Sequence, residues 1–253
     1  MKKSLLILLA IMFIASAIVA QNDIKSGVVT YEKTRKLELK IQGDAHDMEN
    51  SLPKERKSLR EMIFTQDFSL YRNATKKQED EVVKEAEGGG MMMIKMVEPE
   101  EYFFSDIKGK VNTEQREFMG RKFLIEAKTD TVQWKMTGNQ KTILNYPCME
   151  AELVGSEKKT IAWFTPMISV STGPDGYVGL PGLILAMDID NGKTLVEVKT
   201  IEAKAIDSKE LAKPKEGKKV TYAEFRKIVD DKMKEMNGGQ GGNVFIIRSE
   251  RNE

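Results

Sequence analysis

Cysteine and histidine are almost absent: the 253-residue chain carries one of each, Cys148 and His46. A lone thiol cannot close a bridge, so a disulfide-stapled scaffold is excluded. The same scarcity excludes the usual zinc sites, which draw three or four ligands mainly from these two residue types. A nucleophile–His pair would have only His46 to work with, and His46 stands in a polar stretch where a surface side chain is the ordinary reading. Net charge is nearly absent too, with 40 basic side chains against 39 acidic ones. That balance lacks the broad basic face by which proteins hold nucleic acid. Only one long apolar run occurs, residues 5–19, preceded by Lys2 and Lys3. It is short for a bilayer span and suits the core of a secretory signal peptide. Cleavage after Ala20, or after Ala17 in Ala15-Ser16-Ala17, is expected to leave a periplasmic or secreted chain with no membrane span.

What remains has a dominant period of two. Residues 24–41 are rich in Val, Thr and Tyr and read as one long or bent strand. Residues 44–61 are polar and read as a loop or short helix. Met62-Ile63-Phe64 and Phe68-Ser69-Leu70-Tyr71 read as a strand pair. Residues 73–90 form a charged excursion ending in three glycines, a composition that buries little surface and predicts a surface loop. Short strands then continue to about residue 205, with a hairpin at Gly120-Arg121. Asn191-Gly192 tolerates the positive φ of a type I′ turn. Folding there pairs Met187 with Val196, Leu185 with Val198 and Leu183 with Thr200 on an apolar face. Ala186–Glu197 and Ile184–Lys199 then share a mixed face, as in a one-sided antiparallel sheet. Residues 206–219 read as a polar linker. Thr221 and Glu224 make a capping box, and Tyr222, Phe225, Ile228, Val229, Met233 and Met236 recur at helical spacing. The expected fold is mainly β, a curved antiparallel sheet or bowl-like half-barrel with one C-terminal α-helix. The expected segments are 1–20 signal peptide, 21–205 β domain, 206–219 linker, and 220–253 helix and tail.

Gly179-Leu180-Pro181-Gly182-Leu183-Ile184 spells a hexapeptide that resembles the signature of the GLPGLI family of exported bacterial proteins. Trp134, Lys141, Tyr146, Cys148, Ala162-Trp163-Phe164-Thr165 and Gly173-Pro174 extend the likeness, which covers roughly residues 24–205. The family is similar to a bowl-shaped β domain found N-terminal to certain peptide N-glycosidases. The resemblance implies a fold and an exported location, and no activity, cofactor or catalytic residue. Read physically, Pro181-Gly182 suits the centre of a type II turn, Leu180 and Leu183 can cap a core, and Gly179 can let another strand approach.

Each candidate chemistry has a plainer reading beside it. Cys148 could be a thiol site, although a single cysteine is more often a small buried hydrophobe. Glycoside hydrolysis needs two carboxylates about 5–9 Å apart, and no spacing among the 39 acids singles out a pair. Asp188, Asp190 and Gly192 resemble the start of a calcium loop, but Lys199 stands where the bidentate Glu belongs. Thirteen of the 15 methionines follow residue 20, and Met91, Met92, Met93 and Met96 offer soft thioethers suited to Cu(I), or simply an adaptable packing face. The terminal Val244-Phe245-Ile246-Ile247 could pair with its own sheet or add to a partner's edge.

The function that follows is a non-catalytic cell-envelope binding or interaction module without a cofactor. Its binding face would include Met91, Met93, Trp134 and Trp163 and would meet an apolar ligand or an envelope protein. A carboxylate-dependent glycan-acting enzyme and a Met-rich Cu(I)-binding protein are the alternatives.

Overall fold

A computed structural model describes residues 24–37, 54–74, 80–86, 90–96, 100–129 and 132–238. The signal segment, His46 and the Val244–Ile247 run lie outside the described residues. The strands are β1 (Gly27–Lys36), β2 (Glu55–Phe64), β3 (Phe68–Asn73), β4 (Asp80–Ala86), β5 (Gly90–Met96), β6 (Glu101–Asp106) and β7 (Val111–Phe118). They continue as β8 (Arg121–Lys128), β9 (Trp134–Ile143), β10 (Tyr146–Leu153), β11 (Thr160–Thr165), β12 (Leu183–Ile189), β13 (Thr194–Ala203) and β14 (Lys218–Val220). One α-helix follows, α1 (Tyr222–Gly238). Twelve strands form a single curved sheet that stays open, in the order β14-β8-β7-β6-β3-β2-β1-β13-β12-β11-β10-β9. β4 and β5 pair separately as a two-stranded sheet. All pairings are antiparallel except β14 with β8. Among the described residues no helix is long and apolar enough to cross a membrane.

Several elements differ from the sequence expectation. Glu55–Glu61 is strand rather than loop or helix, because Ser58 and Arg60 turn inward to a polar part of the interior. The charged excursion contains β4, whose backbone finds a ladder partner in β5. The stretch expected as a linker holds a 3-10 turn, Ser208–Leu211, and β14. Leu211, with Ile206, packs against Ile63, Leu70 and Phe104 on the outer face of β2, β3 and β6.

The late hairpin has the expected turn. Asn191 and Gly192 both have positive φ, 53° and 80°, and Lys193 N–H donates to the Asp190 carbonyl at 3.3 Å. Asp188 Oδ1 accepts from Gly192 N–H at 2.6 Å, a turn role rather than a calcium ligand's. Met187 faces Val196 and Ala186 faces Glu197, but the β12–β13 ladder stops there. The Leu185–Val198, Leu183–Thr200 and Ile184–Lys199 pairs do not form. Leu183 and Ile184 donate their N–H groups instead to the carbonyls of Ile168 and Thr172, each at 3.0 Å. Both faces of β12 are thereby buried from Leu183 through Met187.

That exchange defines the architecture. The connection from β11 to β12, residues 166–182, runs over the inner face of the curved sheet. Ile168, Val170 and Leu180 in it pack with Val29, Met62, Phe64, Ala162, Phe164 and Met187 of the sheet in one core cluster. Each of the larger side chains contributes about 1.5–3 kcal/mol by leaving water. The hollow expected from sequence is in large part filled by the chain itself.

The hexapeptide sits where this connection rejoins the sheet. Gly182 N–H donates to the Leu180 carbonyl at 2.8 Å, two residues back, so Pro181 centres a three-residue turn rather than a type II turn. Gly182 has φ 156°, and a Cβ there would collide with the Thr165 carbonyl oxygen. The close approach assigned to Gly179 from sequence thus belongs to Gly182, while Gly179 lies against the Trp134 ring. Gly182→Ala should therefore cost more than Gly120→Ala, whose site has positive φ but open space. Urea unfolding should show about 1–2 kcal/mol for Gly120→Ala and an added about 1–3 kcal/mol of overpacking for Gly182→Ala. Equal losses would show that the backbone approach does not constrain Gly182.

Candidate functional site

Strand alternation carries Tyr31, Lys33 and Arg35 of β1 to the inner face, and the register extends that face sideways. Tyr31 lies opposite Arg60, Arg60 opposite Asn73, Tyr71 opposite Phe103, Glu101 opposite Arg116, and Phe103 opposite Glu114. Part of the inner face, across β1, β2, β6 and β7, is therefore charged. Lys33, Arg60, Glu101, Glu114 and Arg116 are all buried.

Their partners account for the burial. Lys33 Nζ donates to both carboxylate oxygens of Asp175, at 2.8 and 2.7 Å. Asp175 comes from a 3-10 turn, Pro174–Gly176, in the covering connection, and it holds φ 51°, a left-handed conformation unfavourable for a non-glycine residue. Arg60 Nη1 donates to Asn73 Oδ1 at 2.6 Å, and Arg60 Nη2 stands 3.6 Å from Glu101 Oε2. Arg116 donates to Glu114, two residues back on the same face of β7. The Arg116 guanidinium also lies over the rings of Phe103, Tyr222 and Phe225, at 5.7–5.8 Å. Those contacts anchor α1 above β8, where Phe225 meets Phe123 edge-on at 5.2 Å.

Burial alone would raise the Glu101 carboxyl, but Lys33, Arg116, Arg60 and Arg35 together hold it below its usual range. Burial lowers the Lys33 ammonium, and Asp175 offsets part of that effect. Burial of Arg116 works against its charge, but Glu114 and Glu101 more than compensate, so the guanidinium stays charged. Burial also pushes the Tyr31 and Tyr71 phenols up. Tyr31 Oη donates to the Ile184 carbonyl at 2.7 Å, whereas Tyr71 Oη has no hydrogen-bond partner among the described residues.

Beyond the Asp175 turn the hollow stays open. A cavity of about 280 Å³ lies between the inner side of β6, β7 and β8 and the turn after β10. Phe103, Tyr177 and Tyr222 supply aromatic wall, Ile125, Ala127, Val132 and Leu153 aliphatic wall, and Asn112, Glu114 and Ser156 polar wall. Asn112 Nδ2 donates to the Gly176 carbonyl at 2.6 Å. Asn112 Oδ1 and Ser156 Oγ are buried without a partner among the described residues, each an unfavourable state worth about 1–3 kcal/mol.

Residues 151–186 match the model of a protein family of unknown function, Porph_ging. The matched stretch holds β11, the covering connection with Asp175, and the hexapeptide up to Ala186. The solved structure of PNGF-II in a P21 crystal form is similar at a TM-score of 0.52 and 16% identity, covering 81% of this chain and 33% of that one. A second PNGF-II structure, in a C2 form, is 16% identical and covers 79% of this chain and 32% of that one, with a TM-score of 0.48. The chain thus spans about a third of the length of PNGF-II, and the likeness concerns the fold. No curated protein sequence matches.

The residues singled out from sequence do not converge. Met91 and Met93 lie on β5, in the separate two-stranded sheet. Trp134 faces inward, donates Nε1–H to the Val178 carbonyl at 2.8 Å and meets Tyr177 edge-on. Trp163 is partly buried against the core cluster, with Lys141 Nζ 4.2 Å from its ring centre. Cys148 is buried, and burial pushes its thiol up, against a reactive role. Leu180, Leu183 and Ile184 of the hexapeptide are buried core. Sequence reasoning missed Lys33, Arg60, Glu101, Glu114, Arg116 and Asp175. The available signal was opposite charges at inward positions of adjacent strands, visible only once the register is known.

Lys33→Met leaves the Asp175 carboxylate buried without its ammonium, and should cost about 3–5 kcal/mol in urea unfolding. Lys33→Met with Asp175→Asn should recover part of that loss, and additive losses would refute the coupling. Because the Glu101 pKa is depressed in the fold, its contribution is complete above the ordinary carboxylate range. It is lost as pH falls through the folded-state value. Glu101→Gln should lower stability at pH 7 and flatten the decline toward acid pH, and an unchanged acid limb would refute that assignment.

Proposed function

We propose that this protein is a non-catalytic binding module of the cell envelope whose site is the 280 Å³ cavity between the Asp175 turn and β8. The observation that carries the reading is the pairing of its carboxylate. Pockets for small molecules combine apolar and aromatic walls with a few placed polar groups, and this cavity has that make-up. Its inner-face carboxylate, Glu114, is already engaged by Arg116. Glu101 behind it is held ionised by surrounding cations, which suits neither a general acid nor an acid tuned near neutral pH. Acid–base chemistry on glycans would need a carboxyl with a raised pKa opposite a second one, whereas these carboxylates face arginines and a lysine.

The apolar, methionine-lined concavity expected from sequence gives way to a smaller, mixed pocket, because the covering connection occupies the rest. The envelope location rests on the signal-like residues 1–20. The partial coverage of PNGF-II supports a fold unit that also occurs within a longer chain.

The test is a ligand-detected NMR screen of small fragments against the chain from residue 21 onward, alongside hydrolysis assays on envelope glycans. Bound fragments should give contacts to the Tyr177 and Tyr222 rings. Ala127→Phe, which fills the cavity from β8, should abolish them without lowering the melting temperature by more than a few degrees. Glycan turnover that disappears in a folded Glu114→Gln variant would overturn the non-catalytic reading.

A further inference from the structure

The charges around the cavity narrow the class of ligand it would take, an inference that rests on the binding reading above. Two charged side chains, Glu114 and Lys128, line it. Glu114 is buried and bonded to Arg116, so its charge is compensated within the wall. Lys128, the last residue of β8, is exposed, and its ammonium has no hydrogen bond or ion pair among the described residues. A lysine in that position lines an apolar wall with its stem and keeps its charge in water. Lys110 stands beside it, since its carbonyl accepts the Thr129 N–H at 3.0 Å. Its side chain is likewise exposed and makes no ion pair among the described residues. In the turn after β10, Gly155 and Ser156 reach the cavity, and beyond them Glu157 and Lys159 are exposed with opposite signs. Among the described residues the mouth at the end of β8 is therefore cationic.

Inside that mouth the wall is largely apolar, with Phe103, Tyr177 and Tyr222 offering ring surface and Ile125 and Leu153 aliphatic surface. A ligand that uses both parts has an anionic head and an apolar body. The head belongs at the mouth, because beside an exposed ammonium it keeps much of its water, and carrying it past Phe103 would strip that water away. A volume of about 280 Å³ is at the low end for small-molecule sites, which suits a body of one ring.

We propose that the cavity takes a small one-ring carboxylate, its ring among Phe103, Tyr177 and Tyr222 and its carboxylate at the mouth beside Lys128.

Three probes that share one ring decide this in NMR titrations of the chain from residue 21 onward: p-toluate, its uncharged isostere p-toluamide, and p-methylbenzylammonium. p-Toluate should bind about 2- to 5-fold more tightly than p-toluamide, the range of one exposed ion pair, and the ammonium should bind most weakly. Raising the salt to about 0.5 M should remove most of the difference. Lys128→Met, a change at an exposed side chain, should bring p-toluate most of the way down to the p-toluamide level, and Lys128→Glu should put the ammonium first. Equal binding of p-toluate and p-toluamide, or a preference unchanged in Lys128→Met, overturns the ligand class, while probe contacts to Phe103 or Tyr177 would leave the cavity a binding site. Neutralisation of Lys128 by Asp130, which is outside the described residues, would show as that equality. Absence of contacts from all three probes overturns this inference, and the broader fragment screen then decides the binding reading by itself.

Discussion

The buried ion pair between Lys33 and Asp175 is the constraint on which the rest of the structure depends. One partner stands in the middle of β1 and the other in a turn about 140 residues later, and both side chains are more than nine-tenths buried. Removing two charges from water is expensive, and their attraction offsets that only with good geometry and further hydrogen bonds. Here the carboxylate receives the ammonium through both oxygens. The pair adds little net stability by this reasoning. Its effect is on specificity, because any other seating of residues 166–182 over Lys33 would bury its ammonium without the Asp175 carboxylate. The left-handed φ at Asp175 fits the same view, a local conformational penalty accepted where the surrounding contacts fix the backbone.

From that latch the remaining inner-face chemistry follows in order along the sheet. Arg60 is screened by Glu101 and Asn73, and Arg116 by Glu114, so Lys33, Arg60 and Arg116 each meet an acceptor. The aromatic line Tyr31, Tyr71 and Phe103, with ring centres 6.1 Å apart at each step, separates this polar tract from the apolar half of the core. The same arrangement explains why α1 docks where it does. Its first turn places Tyr222 and Phe225 over Arg116, and the capping box formed by Thr221 and Glu224 satisfies the N-terminal backbone donors beside that contact.

How much of this was legible in the sequence follows from what each element reports locally. The Asn191-Gly192 turn, the Gly120 hairpin and α1 were readable because turn chemistry, capping and helical spacing are local signals. β7 was placed only as one arm of a hairpin, and its sequence VNTEQREF has no apolar face to show which side is inner. Asn112, Glu114 and Arg116 look like solvated side chains until β6 and α1 are set beside them. The charged start of β2 misled for the same reason: Ser58 and Arg60 are polar and yet interior. The hexapeptide was read as a turn with core-facing leucines, and Leu180 and Leu183 are buried, but the turn is a different one. The Thr165 carbonyl that excludes a side chain at Gly182 comes from a strand that nothing in the local sequence locates.

The cavity is best understood as the place where the sheet fails to close. β8 lies one strand in from one edge and β9 forms the other edge, yet only residues 129–133 join them. At most about 3.6 Å per residue is available to an extended chain, so the end of β8 and the start of β9 must approach across the mouth of the bowl. The curvature brings the edges together, but among the described residues no ladder bridges them. At one side of the gap β14 covers only Phe123, Leu124 and Ile125 of β8. At the other, the Val154 N–H is taken up by the Gln133 carbonyl within the connection itself. A closed barrel would fill this interior with side chains from both edges. Here the covering connection fills the part near Lys33, and beyond Tyr177 a cavity remains between β6, β7, β8 and the turn after β10. The open volume is thus what remains where, among the described residues, the covering connection does not reach the β8 side of the sheet.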